Sequence, residues 1–100
     1  MHYVYVIQNA RVPEEFYIGF TSDLRQRMRQ HNSGLNASTR GREWRLVYYE
    51  AYRSKRSAMR RERMLKHDGR VRRFLMQRVK ESLLDDETRE QFSGGTRDPG

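Results

Sequence analysis

Tyr3-Val4-Tyr5-Val6-Ile7 is an unbroken apolar run, rich in β-branched and aromatic residues. Such a run reads as a strand buried on both faces. The chain has limited material with which to bury it. Of its 100 residues, 35% are hydrophobic and 34% charged, whereas soluble domains usually hold about 45–50% apolar residues with glycine counted. One domain with a modest core is what this length and composition predict. No window approaches the roughly 18 uninterrupted apolar residues of a membrane span. Met1-His2-Tyr3-Val4 lacks the basic-then-apolar layout of a secretory signal. The chain has no cysteine, so disulfides, thiolate nucleophiles and cysteine-held zinc or iron–sulfur sites are excluded. A reducing, cytoplasmic location is the expectation.

Punctuation along the chain sets the order of elements. Asn9 to Glu15, with Pro13, reads as a turn, and Phe16-Tyr17-Ile18-Gly19-Phe20 as a second strand antiparallel to the first. Phe16, Ile18 and Phe20 then share one face, Tyr17 and Gly19 the other. Ser22 and Asp23 are set to cap a helix running to about His31, ended by Gly34. Asn32 to Glu43 is a loop, and Trp44 to Tyr52 a third strand. Ser54 starts a second helix that Asp68-Gly69 breaks, and an amphipathic helix follows with Val71, Phe74, Leu75, Val79 and Leu83 on one side. The predicted class is α+β: a three-stranded antiparallel sheet flanked by helices, in the order β-β-α-β-α-α. Residues 1–84 form the expected domain, and the acidic, then glycine-rich residues 85–100 an expected disordered tail.

Charge divides along the same line. Residues 1–80 hold nineteen Lys and Arg against seven Asp and Glu, and residues 81–100 hold two against six. The basic part is nearly all arginine, whose planar fork grips phosphate oxygens in pairs. A compact arginine-rich body predicts a polyanionic partner, nucleic acid first. Arg25 and Arg29 on the outward side of the first helix, and Arg40 and Arg42 in the loop, are the candidate phosphate contacts; a merely solvated basic surface is the plainer alternative.

Two residues violate the helical patterning. Leu24 and Met28 mark the core stripe of the first helix, which puts Arg27 and His31 on or beside it. Ala58, Glu62 and Leu65 share the inner face of the second. An inward arginine calls for an anion and an inward glutamate for a cation, either a metal or an arginine such as Arg27 itself. Gly19 removes a side chain beside Tyr17 and allows close approach there.

These residues together resemble the GIY-YIG nuclease domain: Tyr3-Val4-Tyr5, Tyr17-Ile18-Gly19, Arg27, His31 one turn later, and Glu62 on a later helix. The likeness covers roughly residues 2–80 and is strongest to small stand-alone bacterial members related to the nuclease domain of the excinuclease C subunit. It implies a phosphodiesterase site dependent on Mg²⁺ or Mn²⁺, acting on DNA, branched or damaged forms included, in repair or recombination. By that resemblance Tyr5 and Tyr17 are the motif tyrosines, Gly19 the close-approach glycine, Arg27 the phosphate-binding arginine, Glu62 the metal ligand, and His31 a further catalytic candidate. One carboxylate plus waters is an ordinary way to hold Mg²⁺. Tyr17 is favoured as the base for the attacking water, with Tyr5 orienting it.

The chain departs from the family pattern at Tyr3, where the name-giving glycine would stand, and in having no asparagine after Asn36, where many members carry a late one. That absence keeps a second reading in play: a catalytically weak or inactive nucleic-acid-binding module of the same fold. A small basic RNA-associated structural protein would account for the arginines and aromatics but gives no reason for inward Arg27 and Glu62. A domain this small has little room for specificity, which a protein partner could supply.

Overall fold

A computed structural model describes residues 1–92, with side chains as far as Glu87. The elements are β1 (His2–Asn9), β2 (Phe16–Thr21), α1 (Leu24–Ser33), a 3-10 turn (Ala37–Thr39), β3 (Trp44–Tyr52), α2 (Lys55–His67) and α3 (Gly69–Phe92). The sheet is antiparallel in the order β2-β1-β3. Fold class and element order are those the sequence predicts.

The apolar run lies where both its faces can be covered. Val4 to Ile7 are all within 1% of complete burial, and alternate residues feed two cores. Val4 and Val6 join Ile18, Ala58, Leu65, Leu75 and Val79 beneath α2 and α3. Tyr5 and Ile7 join Trp44 on the opposite face, covered by Tyr17 and by Leu24 and Met28 of α1. The sheet is therefore the middle layer, and every odd-numbered residue from Tyr5 to Gly19 that matters to the site faces α1.

Local chemistry accounts for the boundaries. The Asp23 side chain accepts from the Gln26 N–H at 3.0 Å, and Gly34 ends α1 in the left-handed region at φ 82°, which favours glycine. Ser54 accepts from the Ser57 N–H at 3.2 Å and starts α2. Asp68 does double duty: its N–H closes α2 on the Met64 carbonyl at 2.8 Å, and its carboxylate accepts the Arg70 and Val71 N–H groups that open α3.

One boundary differs from expectation. The last helix does not stop at Leu84: α3 runs on to Phe92. The apolar stripe ends at Leu84, but Asp85 to Phe92 contains neither glycine nor proline, and Glu, Gln and Arg propagate a helix once it is nucleated. The disorder expected of residues 93–100 lies outside the described residues.

The far edge of the sheet is fastened to α2 by a polar cluster on the side away from α1. Glu50 accepts from the hydroxyls of Tyr48 at 2.7 Å and Tyr52 at 2.6 Å, while Arg61 grips both its oxygens at 2.9 Å. Burial pushes the Glu50 carboxyl up, but these hydrogen bonds outweigh it and hold it below the ordinary glutamate value.

Candidate active site

Tyr5 points from β1 into the α1 face and is 1% exposed. Its hydroxyl lies 2.7 Å from Nε2 of His31, which α1 carries in its last turn. The other ring nitrogen of His31, Nδ1, lies 2.7 Å from Oγ1 of Thr39, and that hydroxyl donates to the Asn36 carbonyl at 3.4 Å. The direction of the chain follows from its end. Thr39 gives its proton to Asn36, so it accepts from Nδ1–H; Nε2 is then a lone pair and accepts from the Tyr5 hydroxyl. Burial pushes the Tyr5 phenol well above its ordinary value, and the cation of Arg27 beside it offsets only part of that rise. Tyr5 is thus held in one place as a hydrogen-bond donor to His31.

Burial and the Arg27 cation both hold His31 below the ordinary imidazole value. The sign of the linked stability follows. The unfolded imidazole takes up a proton as pH falls below about 6.5, while the folded one refuses it. The stabilisation is complete above that value and is lost as pH falls toward the folded value. Thermal melts from about pH 8 to about pH 5 should show a midpoint that declines through this window, and His31→Asn should flatten the decline. Glu50, whose carboxyl is held low, contributes only at more acidic pH. Parallel profiles for the two proteins would show that His31 does not carry the effect.

Gly19 sits directly across from Tyr5 in the β1–β2 ladder. A methyl group built there would clash with the phenol end of Tyr5, with Cε1 at 2.8 Å and the hydroxyl nearer still. The close approach predicted at this glycine is therefore made by the protein's own tyrosine, lying flat over β2 on its way to His31.

Arg27, Tyr17 and Glu62 complete the group around Tyr5. The Arg27 cation favours the charged form of the Tyr5 phenol, while the charges of Tyr17 and Glu62 oppose it. Arg27 is half-buried, and among the described residues it has no carboxylate within salt-bridge distance. Its inward position is thus not explained by an ion pair with Glu62. Tyr17, on the edge strand, packs edge-on against His31 and Trp44, with Nζ of Lys66 5.3 Å from its ring centre. Glu62 is the partner of Lys66 at 3.5 Å, with 24% of its side chain exposed. A half-open carboxylate with one long contact keeps free lone pairs and fits a hard cation such as Mg²⁺ or Mn²⁺. No cluster of three or more His, Cys, Asp or Glu able to hold a metal occurs among the described residues; Glu62 is the carboxylate of this group that would hold one.

Arg25 and Arg29 are exposed on α1 as predicted. Arg40 and Arg42 are exposed too, but the loop already uses them. Arg40 donates to the Gly34 carbonyl at 3.1 Å, and Arg42 pairs with Glu15 at 2.7 Å while donating to the Ser38 carbonyl. Sequence reasoning missed Thr39 and Lys66. Thr39 lies in an aperiodic loop and gains its role only when the 3-10 turn folds against α1. The Trp44 indole N–H bonds the Thr39 carbonyl at 3.0 Å, and Asn32 brackets the Trp44 backbone at 2.7 and 3.0 Å. Lys66 carried one available signal, its spacing of one turn from Glu62.

Residues 1–74 match the family model of the GIY-YIG catalytic domain. A UPF0213 protein of Natronomonas pharaonis is 39% identical over 89 residues, covering 87% of this chain and 94% of that protein. One of Haloquadratum walsbyi is 39% identical over 67 residues, covering 65% and 73%. The solution NMR structure of a UPF0213 protein from Bacillus halodurans aligns with a TM-score of 0.52 at 36% identity, covering 88% of this chain and 94% of that one.

Proposed function

This chain belongs to the GIY-YIG family, whose domains are of nuclease type, and from that premise we propose that it is a divalent-metal-dependent endonuclease hydrolysing phosphodiester bonds in DNA. The observation that carries the reading is one connected group: Tyr5 bonded to His31, Tyr17 packed on His31 with Lys66 over its ring, Glu62 paired to Lys66, and half-buried Arg27 beside them with no carboxylate within salt-bridge distance among the described residues. These residues come from β1, β2, α1 and α2, and packing alone asks for none of their polar groups.

Each group has a task suited to its surroundings. Arg27, with no acid of its own, binds the scissile phosphate and offsets the charge that grows on its oxygens. Tyr5, fixed by His31, orients the site beside the Arg27 cation. Tyr17 is the tyrosine not committed to His31, and its hydroxyl is assigned to the attacking water. Glu62 would hold Mg²⁺ or Mn²⁺, which supplies Lewis-acid stabilisation of the phosphoryl oxygens when bound. His31 acts through Tyr5 and Thr39 as a positioning residue. Branched or damaged DNA in repair or recombination is the proposed setting, with a protein partner lending specificity.

Supercoiled, branched and single-stranded DNA incubated with Mg²⁺ or Mn²⁺, and in parallel with EDTA, tests this. Metal-dependent conversion of supercoiled to nicked circles is the expected result. DNA that is bound but left intact with both metals, on all three substrates, would overturn it in favour of the binding-module reading, which the absence of any asparagine after Asn36 favours.

A further inference from the structure

The inner side of α2 is accounted for by Ala58 and Leu65, both fully buried. Its outer side is not. Arg56, Arg60, Arg63 and His67 follow one another at i, i+4, i+7 and i+11, which places them in one row on the face opposite Ala58 and Leu65. All four are exposed. Among the described residues none has a carboxylate within salt-bridge distance, and the one acid of the helix, Glu62, is on the inner flank paired to Lys66.

Such a row is unfavourable for the helix by itself. Surface helices usually alternate signs, because like-charged pairs at i+3 or i+4 destabilise the helix and opposite pairs stabilise it by a similar amount. A row of arginines uninterrupted by any acid gives up that stabilisation along its whole length. The charge is instead useful to a ligand that carries a line of negative groups. At about 1.5 Å per residue the row spans roughly 16 Å, while a DNA strand passes one phosphate per roughly 3.4 Å of its axis. Several consecutive phosphates can lie along it. The row is also continuous with the candidate site, since Lys66 lies between it and Glu62 around the helix.

We propose that the outer face of α2 is a track for nucleic-acid backbone, on which Arg56, Arg60 and Arg63, with His67 at the end, bind the phosphates of the duplex flanking the cleaved bond. The proposal rests on the nuclease reading for where that duplex comes from. It shifts the main phosphate contacts away from Arg40 and Arg42, which are engaged in their own loop. It also makes α2 contribute twice, through Glu62 on one flank and its arginines on the other.

The test is binding of the full chain to a labelled duplex in EDTA across a salt series, so that no cutting intervenes. The variant Arg56→Gln/Arg60→Gln/Arg63→Gln should bind about tenfold or more weakly at low salt and lose up to about 2.7 from the magnitude of the log–log salt slope, at about 0.9 per phosphate contact. Its melting temperature should be unchanged or higher, because repulsion along α2 is relieved. Arg56→Lys/Arg60→Lys/Arg63→Lys keeps the charges and should keep the slope. A glutamine variant with wild-type affinity and slope overturns the track, as does a lysine variant that loses the slope. Failure of the nuclease reading looks different: duplex bound through this row but never nicked with Mg²⁺ or Mn²⁺ ends that reading and leaves the track standing.

Discussion

Glu62→Gln is expected to lower metal-dependent nicking by at least about 10²-fold, the scale lost when one group stabilising transition-state charge is removed, while the protein stays folded. The geometry makes the two halves of this result separable. Had Glu62 been the buried partner of Arg27, its neutralisation would strand a cation beside the core, a loss typically of about 3–5 kcal/mol. Glu62 instead meets Lys66 at 3.5 Å with 24% of its side chain exposed, and exposed pairs contribute roughly 0–1 kcal/mol. The melting temperature should therefore hardly move, and DNA affinity in EDTA should be kept. A thermal melt run beside a plasmid-nicking assay decides the matter. A mutant that melts far earlier yet nicks DNA normally while folded would remove Glu62 from the metal site.

Gly19→Ala is expected to be the most damaging small change to the fold around the site. The added methyl clashes with the phenol end of Tyr5, and that ring has little freedom to move, its strand being paired across the ladder and its hydroxyl bonded to His31 at 2.7 Å. Overpacking of this kind costs about 1–3 kcal/mol. Moving the hydroxyl off Nε2 leaves a buried acceptor unmet at about 1–3 kcal/mol more. For a domain near this size each kcal/mol corresponds to about 4–8 °C, so a midpoint lower by roughly 10 °C or more should be seen by circular dichroism. An alanine variant melting with the wild type would mean that the tyrosine ring can swing clear at no cost.

The parts of this architecture legible in the sequence are those governed by near neighbours. Asp23, Gly34 and Ser54 act within one helical turn, and the run from Tyr3 to Ile7 needs no partner to be read as buried. The inward placement of Arg27 and Glu62 likewise followed from helical spacing alone. What spacing could not show was which of two strand tyrosines is locked. That depends on β1 being the central strand and β2 the edge, and on a histidine that arrives from 26 residues away. The same limit explains Gly19, whose neighbour turned out to be Tyr5, and Glu62, whose cation is Lys66 from the same helix. The length of α3 escapes the sequence for a different reason: the end of an apolar stripe marks where packing stops, and the backbone needs no packing to finish its last turns.

The strand order has a consequence for how the chain reaches this state. β1 and β2 pair as a local hairpin across a short connection, whereas β3 joins β1 from more than thirty residues further along, so loop-closure entropy favours closing the hairpin first. In the interval the most apolar strand of the chain has one edge unpaired, open to the same strand of another copy. Refolding at high protein concentration sets those two partners in competition. Dilution favours β3, since an intramolecular partner arrives at a rate that other chains cannot affect.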